Sequence, residues 1–292
     1  MNCQSARRQN EARWWLRRLM STQQMEIQAC ENKEIDLRRI KLTVSYDGTN
    51  YCGWQIQPNG ITIEEVLNRA LSKLTGEPIA VIGASRTDSG VHAMGNVAVF
   101  DTGSSIPPER FSYALNQKLP DDIVVVKSEE VPTDWHPRYQ SRIVKTYEYH
   151  ILNAQTPNPT NRLTTYFVSY RLDLEKMRQA AAYLVGEHDF ASFCNIKTNV
   201  DDTVRTVYGL EIVEHPLSEG RELTIRIRGN GFLYNMVRII VGTLLRVGRG
   251  FYTPKQVKEI LEAQDRQAAG VTAPPQGLML MEIEYQTSIS SK

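Results

Sequence analysis

The sequence predicts an α+β fold, and three observations carry that prediction. Short segments of alternating apolar and polar residues, rich in β-branched types, recur along the chain as half-buried strands require. Between them lie stretches whose apolar residues return every three or four positions, some opened by capping residues. In the first half these segments run strand, helix, strand, strand, helix, strand, the order of a ferredoxin-like layer of sheet and helices.

Residues 40–46 alternate and read as the first strand, and Asp47-Gly48 supplies the turn after it. Thr62 with Glu65 forms a capping box for a helix over 63–74, whose Val66, Leu67, Ala70, Leu71 and Leu74 make a buried stripe. Apolar runs at 79–82 and 97–100 are two strands around a long polar loop. Pro107 and Pro108 open a helix reaching 119, and a strand follows at 123–126. The second half begins with a strand over 145–152. A helix over 174–184 then ends with Gly186 at its C-cap. Residues 206–214 and 222–228 form a hairpin around 215–220. Leu233, Met236, Val237, Ile240, Val241, Leu244 and Leu245 fall at the spacing of a core helix, and a last strand runs to Tyr285.

Residues 1–38 differ in composition: Arg7, Arg8, Arg13, Arg17 and Arg18 face a single early acid, Glu11, and Trp14, Trp15, Leu16 and Leu19 share one helical face. The segment is either an organellar presequence or the product of an upstream start, with Met20 or Met25 opening the chain nearer the fold. In both cases a disordered or weakly helical extension without a catalytic task is expected. Residues 39–140 and 141–286 then form two domains, with a tail at 287–292.

With 41% hydrophobic and 23% charged residues, the composition is that of an ordinary globular chain. The longest apolar run is interrupted by Arg238 and Arg246, which argues against a membrane span. Cys3, Cys30, Cys52 and Cys194 are scattered without a C-x-x-C pair, so neither a zinc site nor a disulfide framework is expected, and a reducing cytoplasm fits. His188-Asp189 has no partner at metal-ligand spacing. The Gly-x-Gly at Gly229 and Gly231 is too weak a pattern for a nucleotide cofactor. No metal and no cofactor are expected.

The net charge is only +1, but its distribution is uneven. Residues 223–258 hold no acid, yet Arg226, Arg228, Arg238, Arg246, Arg249, Lys255 and Lys258 all fall there. A second group, Arg138, Arg142 and Lys145, is interleaved with Trp135, His136, Tyr139 and Tyr147. These cations either contact phosphates beside stacked bases or form solvated faces balanced by acids elsewhere in the fold.

The polar loop spans 83–96 and carries one carboxylate, Asp88, two residues after Arg86. Gly83, Gly90 and Gly95 free its backbone for positive φ and for close approach to a ligand. Asp88 is either a reactive group presented by a rigid strand pair or the first residue of an Asx-turn.

Arg86-Thr87-Asp88-Ser89-Gly90-Val91-His92-Ala93 closely resembles the G-R-T-D-x-G-V-H-A signature of the tRNA pseudouridine synthase A (TruA) family. Further segments resemble that family in order: 46–57, 114–123, 135–139 (with Pro137 in place of alanine), 186–193, 229–248 and 272–280. Ser85 stands where the family usually has glycine, and Asn96 where glutamine is more usual.

The resemblance implies two ferredoxin-like halves whose antiparallel sheets join, with an active-site cleft between them. It implies a cofactor-free, cytoplasmic isomerase that converts uridine to pseudouridine in the anticodon stem-loop of tRNA, positions 38 to 40. The family works as a homodimer, one subunit holding the tRNA body while the other presents the active site. Asp88 is then the catalytic residue, and Arg238 the active-site arginine, expected to pair with it and lower its pKa. Tyr147 lies against the uracil and helps remove its C5 proton, or else packs as a core ring. Arg86, His92, Gln55 and Arg138 join Tyr147 in binding substrate, with Arg86 filling the space left by a flipped uridine or holding a displaced phosphate. Trp54 and Gln55 are either a core anchor and a loop tie or direct RNA contacts. Two other readings use the same scaffold: a non-catalytic RNA-binding protein, and a related synthase acting on a different RNA.

Overall fold

A computed structural model describes residues 37–195 and 202–285. The expectations for residues 1–36 and for the tail at 287–292 lie outside the described residues. The first half contains β1 (Arg38–Tyr46), α1 (Ile63–Thr75), β2 (Ile82–Gly83), β3 (His92–Thr102), α2 (Phe111–Asn116) and β4 (Ile123–Val131). The second contains β5 (Ile143–Asn153), β6 (Tyr166–Val168), α3 (Leu174–Ala182), β7 (Gly186–Asp189), β8 (Val204–Pro216), β9 (Arg221–Gly229), α4 (Met236–Gly248), α5 (Pro254–Ala263) and β10 (Leu278–Tyr285). This is an α+β protein.

All ten strands among the described residues belong to one sheet, in the order β4-β1-β3-β10-β5-β9-β8-β7, with β2 on β3 and β6 on β5. Alternation drives it: Ile40, Leu42, Val44 and Tyr46 of β1 are all buried, while the residues between them are half-buried. The last strand, β10, occupies the middle. It pairs antiparallel with β5 along most of its length and parallel with β3 at Met279↔His92 and Leu280↔Ala93.

The helices follow from periodicity and caps. Thr62 caps α1, its side chain accepting from the Glu65 N–H. The second half of the expected capping box is not made, because the Glu65 carboxylate pairs with Arg69 one turn on. A complete box closes α5 instead, between Thr253 and Gln256. Eleven of the 13 residues of α4 are buried, so this helix is core on nearly all sides.

Three expectations need correction. The helix after Pro107 and Pro108 stops at Asn116 rather than 119, because the Asn116 amide leaves the helix to bond both N and O of Val125 in β4. The helix from 174 stops at Ala182, and Gly186 is not its cap. Gly186 opens the edge strand β7, paired with Val207, with φ of 119°. Strand β3 begins at His92, five residues before the apolar run, because Gly95 and Asn96 break the hydropathy signal while the backbone stays extended.

Candidate active site

Asp88 sits in the loop between β2 and β3, which backbone bonds hold at several points. Trp54 N donates to Thr87 O, Gly90 N to Tyr51 O and Val91 N to Asp88 O. Beneath the loop Trp54 is fully buried, with Gly83 so close that a Cβ there would lie 2.3 Å from the indole nitrogen. Trp54 is therefore the core anchor of the two alternatives. Of the loop glycines expected to take positive φ, Gly90 does so, at 76°; Gly83 serves close packing instead.

The Asp88 carboxylate does not make the Asx-turn bond. Its hydrogen bond runs across the fold to Arg238, Nη1 to Oδ2, at 3.3 Å. Arg238 projects from the first turn of α4 and is itself fixed. Its Nε donates to Ala273 O at 2.8 Å, and Nη1 also donates to Asn235 Oδ1 at 2.7 Å. Asn235 holds φ of 61°, a strained conformation for a side-chain-bearing residue, stabilised here by that contact. The aspartate and arginine side chains retain 16% and 15% of their exposure. Burial raises the Asp88 pKa above the ordinary aspartate value by more than the Arg238 charge and hydrogen bond lower it. The expectation of a net lowering is thus corrected: the arginine offsets desolvation only in part.

Asp88 opens onto a cleft of about 830 Å³. The cleft draws Gln55, Ser85 and Arg86 from the first half, Arg138 from the connector, and Lys145, Tyr147, Arg205, Asn230 and Phe232 from the second. Asp88 is the one acid lining it among the described residues, against Arg86, Arg138, Lys145 and Arg205. Tyr147 is buried, edge-on to Phe232 with ring centres 5.3 Å apart, and its hydroxyl lies 2.9 Å from Ser85 Oγ. Burial pushes its phenol up to about 12. Arg138 Nε holds Gly83 O at 2.7 Å, and Lys145 Nζ holds Ala84 O at 3.0 Å. Arg86 is exposed at the rim, 3.5 Å from Gln55 Oε1.

Asp88, Arg238, Tyr147, Arg86, Gln55 and Arg138 are therefore brought together. His92 is not. It is fully buried behind the loop, where Nδ1 accepts from Gly48 N–H at 3.1 Å, and it does not line the cleft. Lys145 was read only as part of a basic patch, although it lies two residues from Tyr147 and so shares its face of β5. Arg205 and Phe232 carried no comparable signal.

The acid-free stretch at 223–258 does not act as one surface. Arg226 pairs with Glu148 and Arg228 with Glu284, so for these two the balanced-face reading holds. Arg246 and Arg249 lie over Phe251, Tyr252 and Tyr170. His188 Nε2 contacts Val185 O, while Asp189 accepts from Ala191 N, Thr203 Oγ1 and Gln264 Nε2, which are structural ties. No helix among the described residues is long and apolar enough to cross a membrane.

A single half-buried carboxylate in a cleft walled by guanidinium and ammonium groups defines an enzyme site suited to a polyanionic substrate. A family model described as tRNA pseudouridine synthase matches residues 42–140 and 180–286. The tRNA pseudouridine synthase A of Thermoanaerobacter sp. (strain X514) is 49% identical over 85% of this chain and 100% of its own length. Those of Exiguobacterium sibiricum (49%, over 86% and 98%) and Acetivibrio thermocellus (48%, over 85% and 100%) are similar. The chain belongs to the tRNA pseudouridine synthase family.

Proposed function

We propose that this protein isomerises uridine to pseudouridine in the anticodon stem-loop of tRNA, at positions 38 to 40, with Asp88 as nucleophile or base. The observation that carries the reading is the placement of Asp88, the single acid lining a cationic cleft among the described residues, against Arg238. The reaction breaks the N1–C1′ bond and joins C5 to C1′. The uracil loses a proton from C5 and gains one on N1, so nothing is oxidised or added overall, and the chemistry calls for no metal or cofactor.

Asp88 supplies the ionised oxygen near the sugar and base, and Arg238 keeps that charge tolerable out of water. The buried Tyr147 hydroxyl lies against the uracil and helps remove its C5 proton. The target uridine leaves its stack to enter the cleft, Arg86 at the rim holds the displaced strand, and Gln55 and Arg138 help seat the nucleotide. Recognition rests on backbone shape, as suits structured RNA. Two ferredoxin-like halves at 39–140 and 141–286, with joined sheets, are supported by the strands flanking β10. The working unit is a cytoplasmic homodimer in which one subunit grips the tRNA body while the other acts.

Mapping pseudouridine in tRNA from cells with and without this protein tests the reading: the modification at 38 to 40 is expected to disappear, and an unchanged map sinks it. A second test uses pH. Asp88 acts ionised, and burial already raises its pKa, so the rate falls as pH drops through that raised value. Arg238→Met removes the lowering influence and is expected to move this acid-side fall to higher pH. A profile superimposable on the parent's would exclude the electrostatic role of Arg238.

A further inference from the structure

Two side chains that the chemistry above leaves unused, Lys145 and Ser85, form a line with Tyr147 in the cleft. Lys145 Nζ lies 3.2 Å from Ser85 Oγ, and Ser85 Oγ lies 2.9 Å from Tyr147 Oη. Lys145 and Tyr147 stand two residues apart on the same face of β5. Ser85 is held between them because the buried amide of Asn96 bonds both its backbone groups, Ser85 N to Oδ1 at 3.2 Å and Nδ2 to Ser85 O at 3.0 Å. Ser85 and Asn96 are also the two loop positions that differ from the resembled motif, and here they are each other's partners.

Lys145 is half-buried at the wall of the cleft and forms no ion pair among the described residues. The charged groups that act on it are cations: Arg138 from the connector, Arg86 from the loop and Arg205 from β8. Tyr147 faces it from its own strand through Ser85, and Asp88 acts on Tyr147. Burial, reinforced by the three guanidiniums, brings the Lys145 ammonium down to about 8. A neutral amine has a lone pair that can accept from the serine hydroxyl, which a guanidinium does not offer at any ordinary pH.

We propose that Lys145, acting through the Ser85 hydroxyl, receives the proton that Tyr147 gives up when it removes the uracil C5 proton. Tyr147 Oη takes the C5 proton while its own proton passes to Ser85 Oγ and the serine proton passes to Lys145 Nζ. The C5–H electron pair becomes the C5–C6 double bond, the former N1–C6 double-bond pair moves to N1, and N1 takes a proton from water. Lys145 ends as an ammonium and returns its proton to water in the cleft. Lys145 and Ser85 are thus positioning and relay residues that act through Tyr147. The inference rests on the reading of Tyr147 as the C5 base of a uridine isomerase.

The test is single-turnover release of the C5 label from a tRNA transcript carrying deuterium or tritium at C5 of its uridines, followed across pH. Ser85→Ala, Ser85→Gly and Lys145→Met are expected to slow release by about 100-fold, the usual weight of a general base. All three should enlarge the C5 isotope effect, and the two Ser85 variants, which keep every cleft cation, should leave tRNA affinity near that of the parent. The parent's rise in rate around pH 8, where Lys145 becomes neutral, is expected to vanish. Lys145→Arg keeps the cation and its donors but is expected to be as slow as Lys145→Met. Recovery of rate by Lys145→Arg, or a parental rate and isotope effect in Ser85→Ala, would overturn the relay. A parent protein that releases no label from any tRNA would instead remove the isomerase reading beneath it.

Discussion

Asp88→Ala is expected to lower pseudouridine formation by about 10⁴-fold or more, the scale on which deleting a nucleophile or its equivalent acts. Its effect on tRNA binding should be of the opposite kind. Affinity for tRNA comes from cations meeting phosphates, and the cleft keeps all four of its lining cations, Arg86, Arg138, Lys145 and Arg205, in the variant. Removing the only lining acid among the described residues takes away a repulsion, so binding at fixed salt should be equal or somewhat tighter. Filter binding and label release on the same preparation separate the two quantities. Turnover retained in Asp88→Ala would refute the assignment of the carboxylate, whatever the affinity.

Trp54→Ala is expected to cost about 3–5 kcal/mol of folding stability, as for other fully buried aromatic side chains. The indole is completely buried, lies 6.0 Å from the Tyr46 ring, and supports Gly83 at the start of the loop that carries Asp88. Its nitrogen has no hydrogen-bond partner among the described residues, so the loss is one of packing rather than of a polar contact. Trp54→Phe retains most of the apolar contact and sheds an unsatisfied donor, and should therefore cost far less. Denaturant midpoints of the two variants check this. Equal losses in both would mean that the indole's packing is not what supports the loop.

Much of this arrangement is legible in the sequence, for reasons that differ from residue to residue. Ile40, Leu42 and Val44 announce β1 by alternation, Thr62 marks the start of α1, and the spacing from Leu233 to Leu245 gives the core helix. The start of β3 is not legible, because Asn96 is a polar residue that spends its amide on Ser85 and so hides an extended segment from hydropathy. The contact between Asp88 and Arg238 spans 150 residues, and no periodicity encodes it. It exists because β10 pairs with strands from both halves. The direction of the Asp88 shift is not legible either: the motif points to the arginine partner, but the weight of desolvation depends on how far the loop is enclosed. His92 shows the converse limit, since a motif position adjacent to the site turns inward once the strand register is fixed.

The central place of β10 bears on synthesis. Take residues 278–285 away and the remaining ladder falls into two separate sheets, one with the aspartate's loop and the other leading to the arginine's helix. A ribosome that has translated the first 270 codons has therefore produced both Asp88 and Arg238 without the strand that stitches their two sheets together. Competence to modify RNA is conferred late, in a single step, when the final strand slots between neighbours already made.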